Sequence, residues 1–151
     1  MAQGKSQDMK IVLGITVALA ASPAAAFDLA KCYARTYSAE HLASHPAQMV
    51  SDIWVAQTVE NVPSPGVVLN FSVRLKTSRE VYLGGAYCEP DGADIRCGME
   101  GDAGSFTIKA RKNGILIALD PDGISFEGQS GFVTLSGSKG DDREFLLPLC
   151  P

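Results

Sequence analysis

Between residues 67 and 76 every second residue is apolar. Leu69, Phe71, Val73 and Leu75 fall on one face, and Asn70, Ser72, Arg74 and Lys76 on the other. A period of two suits a strand with one buried face and one wetted face, the arrangement of an antiparallel sheet. The pattern recurs, less strictly, at 51–59, 80–88, 94–99, 105–111, 115–119, 124–126, 132–136 and 143–149. Turn chemistry separates these runs: Pro63-Ser64-Pro65-Gly66, Pro90-Asp91-Gly92, Gly101-Asp102-Ala103-Gly104, Asn113-Gly114 and Asp120-Pro121-Asp122-Gly123. With 124–126 and 132–136 read as one interrupted strand or two short ones, that makes about eight strands at roughly ten-residue spacing. Short connections make sequence neighbours pair antiparallel, so the chain reads as all-β, a small antiparallel meander barrel, lipocalin-like or similar, with a β-sandwich as the alternative. The paired Gly84-Gly85 inside a strand predicts a bulge or sharp bend where a barrel closes. One short N-terminal helix is expected at 38–45, capped by Ser38 and stopped by Pro46.

The first 26 residues read differently. Lys5 and Lys10 precede an apolar run at 11–21, followed by Ser22-Pro23-Ala24-Ala25-Ala26. A basic start, a short apolar core and an A-x-A site are the layout of a secretory signal. The run is shorter than the roughly 20 apolar residues that span a bilayer. Cleavage is expected between Ala26 and Phe27, with Met1 or Met9 as the start, leaving 27–151 as a single domain. Leu29-Ala30-Lys31-Cys32 resembles a lipidation site, but Lys31 stands where a small residue is needed.

The four cysteines, Cys32, Cys88, Cys97 and Cys150, all follow the signal, and an even count in an exported chain reads as disulfides. Cys88 and Cys97 flank the Pro90-Asp91-Gly92 turn, so a hairpin brings them together. Cys32 and Cys150 remain, tying the first segment of the domain to the last. In the chain-entropy account these bonds restrict the unfolded chain by about 2.5–3 and about 4–5 kcal/mol. Zinc thiolate binding is disfavoured, because no C-x₂₋₄-C pair exists.

Past the signal the chain carries 11 basic and 16 acidic side chains, a formal charge of −5. That balance argues against nucleic acid or an anionic membrane as partner, since phosphate recognition needs clustered Lys and Arg. Lys109-Ala110-Arg111-Lys112, the densest basic run, sits at an expected hairpin turn.

His41 and His45 are the only histidines. Four apart on the expected helix, both imidazoles face one side and form a possible two-point transition-metal ligand. Glu40, Asp28 or Asp52 are candidate third ligands. Leu42 stands where H-E-x-x-H places its glutamate, so a metalloprotease is not indicated. The alternative role is structural, with His45 serving the helix C-terminus. Asp120-Pro121-Asp122-Gly123 fails as an EF-hand, because Ala118 and Gln129 occupy the first and last ligand positions. Ser136-Gly137-Ser138-Lys139 matches S-x-x-K but lies in a glycine-rich loop, and Gly128-Gln129-Ser130-Gly131 is one residue short of a nucleophile elbow. No motif points to an enzyme. Trp54, Phe71, Tyr82, Tyr87 and Phe106 lie in strands, where they pack a core or line a cavity for a small apolar ligand.

The segment Tyr37 to Gln48, Tyr-Ser-Ala-Glu-His-Leu-Ala-Ser-His-Pro-Ala-Gln, resembles a family of small secreted alphaproteobacterial proteins of unassigned function. The Cys88-x₈-Cys97 spacing and Pro148-Leu149-Cys150 are similar to that family too. The resemblance implies a periplasmic location and no activity. The functional expectation is an exported, non-enzymatic binding module for an unknown protein or a small apolar ligand. A metal-binding protein using His41 and His45, and a periplasmic inhibitor of a host or envelope hydrolase, are the alternatives.

Overall fold

The computed structural model describes residues 29, 31–58 and 65–151, so the expected signal at 1–26, its cleavage site and Asp28 lie outside the described residues. The chain runs β1 (Tyr33–Thr36), α1 (Ala39–Ser44), β2 (Val50–Gln57), β3 (Val67–Leu75), β4 (Val81–Asp91), β5 (Asp94–Met99), a 3-10 turn (Glu100–Asp102), β6 (Gly104–Arg111), β7 (Gly114–Gly128), β8 (Gly131–Leu135) and β9 (Glu144–Pro148). The fold is all-β. Ser38 and His45 flank α1 as its caps, and the Ser38 hydroxyl accepts the His41 N–H at 3.1 Å.

Every strand pairing is antiparallel, and the walk from β1 to β8 follows the chain, as a meander should. β4, β5, β6 and β7 pair in succession, and β4 meets β7 again at Leu83↔Glu127, closing a four-stranded barrel. The remaining strands lie outside this ring. β9 departs from a single lipocalin-like walk: it pairs with the first half of β7 rather than with β8. It also reaches β1 through a Tyr33↔Leu149 bridge, beside which the Cys150 N–H donates to the Cys32 carbonyl at 2.9 Å.

Two sequence expectations are corrected here. The expected turn at Asp120-Pro121-Asp122-Gly123 is instead a kink inside one continuous strand. Gly104 pairs with Ile124 and Phe106 with Leu119, so four residues of β7 bulge opposite Ser105. Gly123, at φ +78°, makes the bend, and a Cβ there would strike the Leu135 carbonyl. The kink lets the first half of β7 pair with β6 and β9 and the second half with β8 and β4. The second correction concerns Gly84-Gly85, where the β3–β4 register runs without a break. The pair is there for close approach: a Cβ on Gly84 would meet Met99 and Phe126, and one on Gly85 the Glu100 carboxyl.

The inward face of β3 is the one its alternation predicts, with Leu69, Phe71, Val73 and Leu75 buried. Phe71 stacks edge-on against Phe106 at 5.3 Å between ring centres and tilts against Phe126 at 6.1 Å. Aromatic side chains therefore occupy the barrel interior. Trp54 and Tyr87 point outward, whereas Phe71, Phe106 and Tyr82 belong to the core.

Both disulfides pair as the turn argument expects. Cys88 and Cys97 face each other across β4 and β5 with Cα atoms 4.1 Å apart, and Cys32 joins Cys150 with Cα atoms 5.4 Å apart.

Candidate functional site

Directly opposed residues of an antiparallel sheet project to the same face. The registers align Trp54 with Ser72, Ser72 with Leu83, Leu83 with Glu127 and Glu127 with Phe132. One straight row thus crosses five strands, β2, β3, β4, β7 and β8, on the outside of the fold. Its three large apolar members are open to solvent: Trp54 is 40 %, Leu83 59 % and Phe132 76 % exposed. With about 4.8 Å between strands, they stand about 10 Å apart and the row is about 19 Å long. Val81, two residues before Leu83 on the same face of β4, adds to it and is also exposed.

Ser72, with a short side chain, and Gly85, with none, leave a groove of about 790 Å³ beside Trp54 and Leu83. Trp54, Asn70, Val81 and Leu83 form its walls, and its charged lining residues are both acidic, Glu100 and Glu127. The Glu100 carboxyl lies over Gly85, so close that a Cβ on Gly85 would come within 2.7–2.9 Å of it. The glycine is what admits a carboxylate to the groove floor.

A second cleft, of about 580 Å³, holds the two histidines. The Arg35 guanidinium lies 4.8 Å from the Tyr37 ring centre, Tyr37 lies 4.9 Å from His41, and His41 stacks on His45 at 4.1 Å. The shared face expected of an i, i+4 pair is present. Gln48 must turn its NH₂ to the Val50 carbonyl at 2.8 Å, so its Oε1 faces His41 Nε2 at 2.9 Å and accepts from it. His45 Nδ1 lies 2.9 Å from the His41 carbonyl and 3.0 Å from Ser44 Oγ; in the tautomer in which Nδ1 donates to that carbonyl, Nε2 keeps the lone pair. His45 thereby closes the helix C-terminus as well. Among the described residues no group of three His, Cys, Asp or Glu side chains gathers to share a metal ion. Asp52, an expected third ligand, instead accepts from Thr36 Oγ1 at 2.9 Å and lies 3.8 Å from Arg74.

The loop beside this cleft is fastened by Asp142, which is buried. Its carboxylate accepts the Met49 N–H at 2.6 Å and the Val50 N–H at 3.1 Å, locking the entry of β2. Burial pushes the Asp142 carboxyl above its ordinary range, against the pull of those two bonds. Asp142→Ala strands two backbone donors and is expected to cost about 2–4 kcal/mol, read as a lowered urea midpoint at unchanged slope.

The serine motifs have local partners. Ser136 Oγ accepts the Ser138 and Lys139 N–H groups at 3.2 and 3.1 Å. Ser130 donates its N–H to Glu80 Oε1 at 2.8 Å and its hydroxyl to Oε2, and these bonds hold the Glu80 carboxyl below its usual range.

At the β7 kink Asp120 binds Arg96 through two guanidinium nitrogens and accepts from Ser105. Arg96 draws the Asp120 pKa from 3.8 down to about 2. A depressed carboxyl contributes stability above its unfolded pKa and loses it as pH falls from about 4 to about 2. The pair is largely open to water, so the contribution is expected to stay below about 1 kcal/mol. Asp120→Asn should flatten the acid limb of a stability–pH curve over that window.

No helix among the described residues is long and apolar enough to cross a membrane. No protein-family model, curated protein or solved structure gives a match to this chain. The fold and its surface therefore carry the functional argument alone. Sequence reasoning had named Trp54 without its direction and had missed Leu83 and Phe132. The alternation Ile53-Trp54-Val55 was the available signal, since two buried neighbours put Trp54 on the outer face. The placing of Tyr37 against His41 gave no signal, because it depends on where α1 settles.

Proposed function

We propose that this protein is an exported, non-enzymatic interaction module that docks a partner on the outer face of its barrel. The observation that carries the reading is the five-strand row with Trp54, Leu83 and Phe132 in register and exposed. A row of exposed large apolar side chains spaced by polar ones has the mixed character of a protein interface, whose centre favours aromatic side chains. The two disulfides suit an oxidising compartment. The leader and the resemblance to small secreted proteins support the periplasm. Envelope or host hydrolases are among the partners such a module would meet and inhibit. With the core filled by Phe71, Phe106 and Phe126, a small apolar ligand would have to use the outer groove.

Site-directed photo-crosslinking tests the reading. A photoreactive residue at position 83 of the full chain, expressed in its own compartment, is expected to give a discrete adduct. The same probe at Lys112, in the β6–β7 turn, should give none. Absence of any adduct from position 83 overturns the assignment of this face.

A second reading rests on His45. An imidazole whose Nδ1–H is held by a carbonyl presents Nε2 as a lone pair, the way metal-ligating histidines are oriented. A transition-metal site at His41 and His45 is thus expected to take up about one equivalent of copper(II) or nickel(II) in calorimetry. His45→Ala should abolish the uptake while leaving the unfolding midpoint within about 0.5 kcal/mol.

A further inference from the structure

We infer that the partner of the outer face is a protein surface that combines apolar with basic side chains. The inference rests on the docking reading above and adds the chemistry of what docks. The groove is apolar at Trp54, Val81 and Leu83, yet it contains two carboxylates, Glu100 on its floor and Glu127 within the row. Among the described residues no Lys or Arg lines it; Arg74, opposite Val81 on the same face, lies beyond its lining and 3.8 Å from Asp52. A partner that covers both Leu83 and Phe132 must also cover Glu127, which stands between them, about 5 Å from each across its strand pair. Burying a carboxylate without a counter-charge costs several kcal/mol, so a purely apolar occupant is penalised. Lysine or arginine brought by the partner removes that penalty and fixes the docking register.

The same charges disfavour the other occupants. A second copy of the chain would bring its own Glu100 and Glu127 to the interface, placing four carboxylates together with no lining base. An anionic lipid surface would be repelled. The overall charge points the same way, because an excess of acidic side chains steers basic partners towards the protein.

Trp54 is the only tryptophan, and it stands at one end of the row, so its emission reports occupancy directly. The probes are two synthetic amphipathic helical peptides with identical leucine faces, one carrying lysine and the other glutamate on the polar face. The lysine peptide is expected to quench and blue-shift Trp54, at least tenfold more tightly than the glutamate peptide, and more weakly as salt rises. The double variant E100Q/E127Q should lose most of that preference, and Leu83→Ser should lose binding of both peptides while keeping its unfolding midpoint. Equal binding of the two peptides, or a preference untouched by E100Q/E127Q, overturns the inference. A Trp54 response to chitin oligosaccharide, or to the protein's own concentration with dimers in sedimentation, also overturns it, and leaves the docking face standing. If neither peptide, sugar nor self-association perturbs Trp54 and position 83 gives no adduct, the docking reading fails with it.

Discussion

Phe71→Ala is expected to destabilise the protein by about 3–5 kcal/mol, seen as a large drop in the urea midpoint and a thermal transition lowered by many degrees. Phe71 is 1 % exposed and touches both Phe106 and Phe126. Its removal empties the centre of the core rather than its edge. β3, β6 and β7 each contribute one of the three rings, so a cavity here loosens three strands at once. A relaxed core would also release Gly84, which Phe126 and Met99 press from inside, next to the Leu83↔Glu127 closure. Phe71→Leu fills much of the space and should recover a good part of the loss. Equal losses in the two variants would mean that ring geometry matters more than volume.

Replacing Cys32 and Cys150 together by serine is the second large change, with an expected cost of about 4–5 kcal/mol in the chain-entropy account. The bond closes a separation of 118 residues. It also holds β1, whose four residues pair with β2 and touch the C-terminal segment through the Tyr33↔Leu149 bridge. Denaturant unfolding of the oxidised protein and the double variant measures the effect. Amide exchange should then show β1 and the α1 cleft opening well before the four-stranded ring. The Cys88–Cys97 bond, spanning nine residues, should matter less, because β4 and β5 already pair on both sides of it.

Most strands were legible in the sequence because each carries its own alternation or its own turn, both local properties. The helix was legible for the same reason, since Ser38 and Pro46 bracket it. Where the reading departed from the structure, distant contacts decided. Tyr33–Thr36 is too short to show a period and becomes a strand because β2 lies beside it. Asp120-Pro121-Asp122-Gly123 has the chemistry of a turn and bends as one, but β6, β8 and β9 on its flanks keep the strand running through it. Asn113-Gly114 does mark a hairpin, yet the glycine is demanded by the Leu147 carbonyl packed against it rather than by a positive φ. The docking row was the least legible element. Trp54, Leu83 and Phe132 are far apart in sequence, and only four successive registers bring them into line.

The connectivity of the two bridges has a consequence for how the protein matures. On the proposed export route the cysteines enter an oxidising compartment in the order Cys32, Cys88, Cys97, Cys150. An oxidant that joins each thiol to the next one available would make Cys32–Cys88 first and strand Cys97 with Cys150. The native bonds are instead nested, one inside the other. Cys32 must either stay reduced until β9 arrives or be freed from a wrong partner by thiol exchange. Correct maturation therefore depends on the order of oxidation: either Cys32 waits for Cys150, or a disulfide-reshuffling activity corrects the first bond.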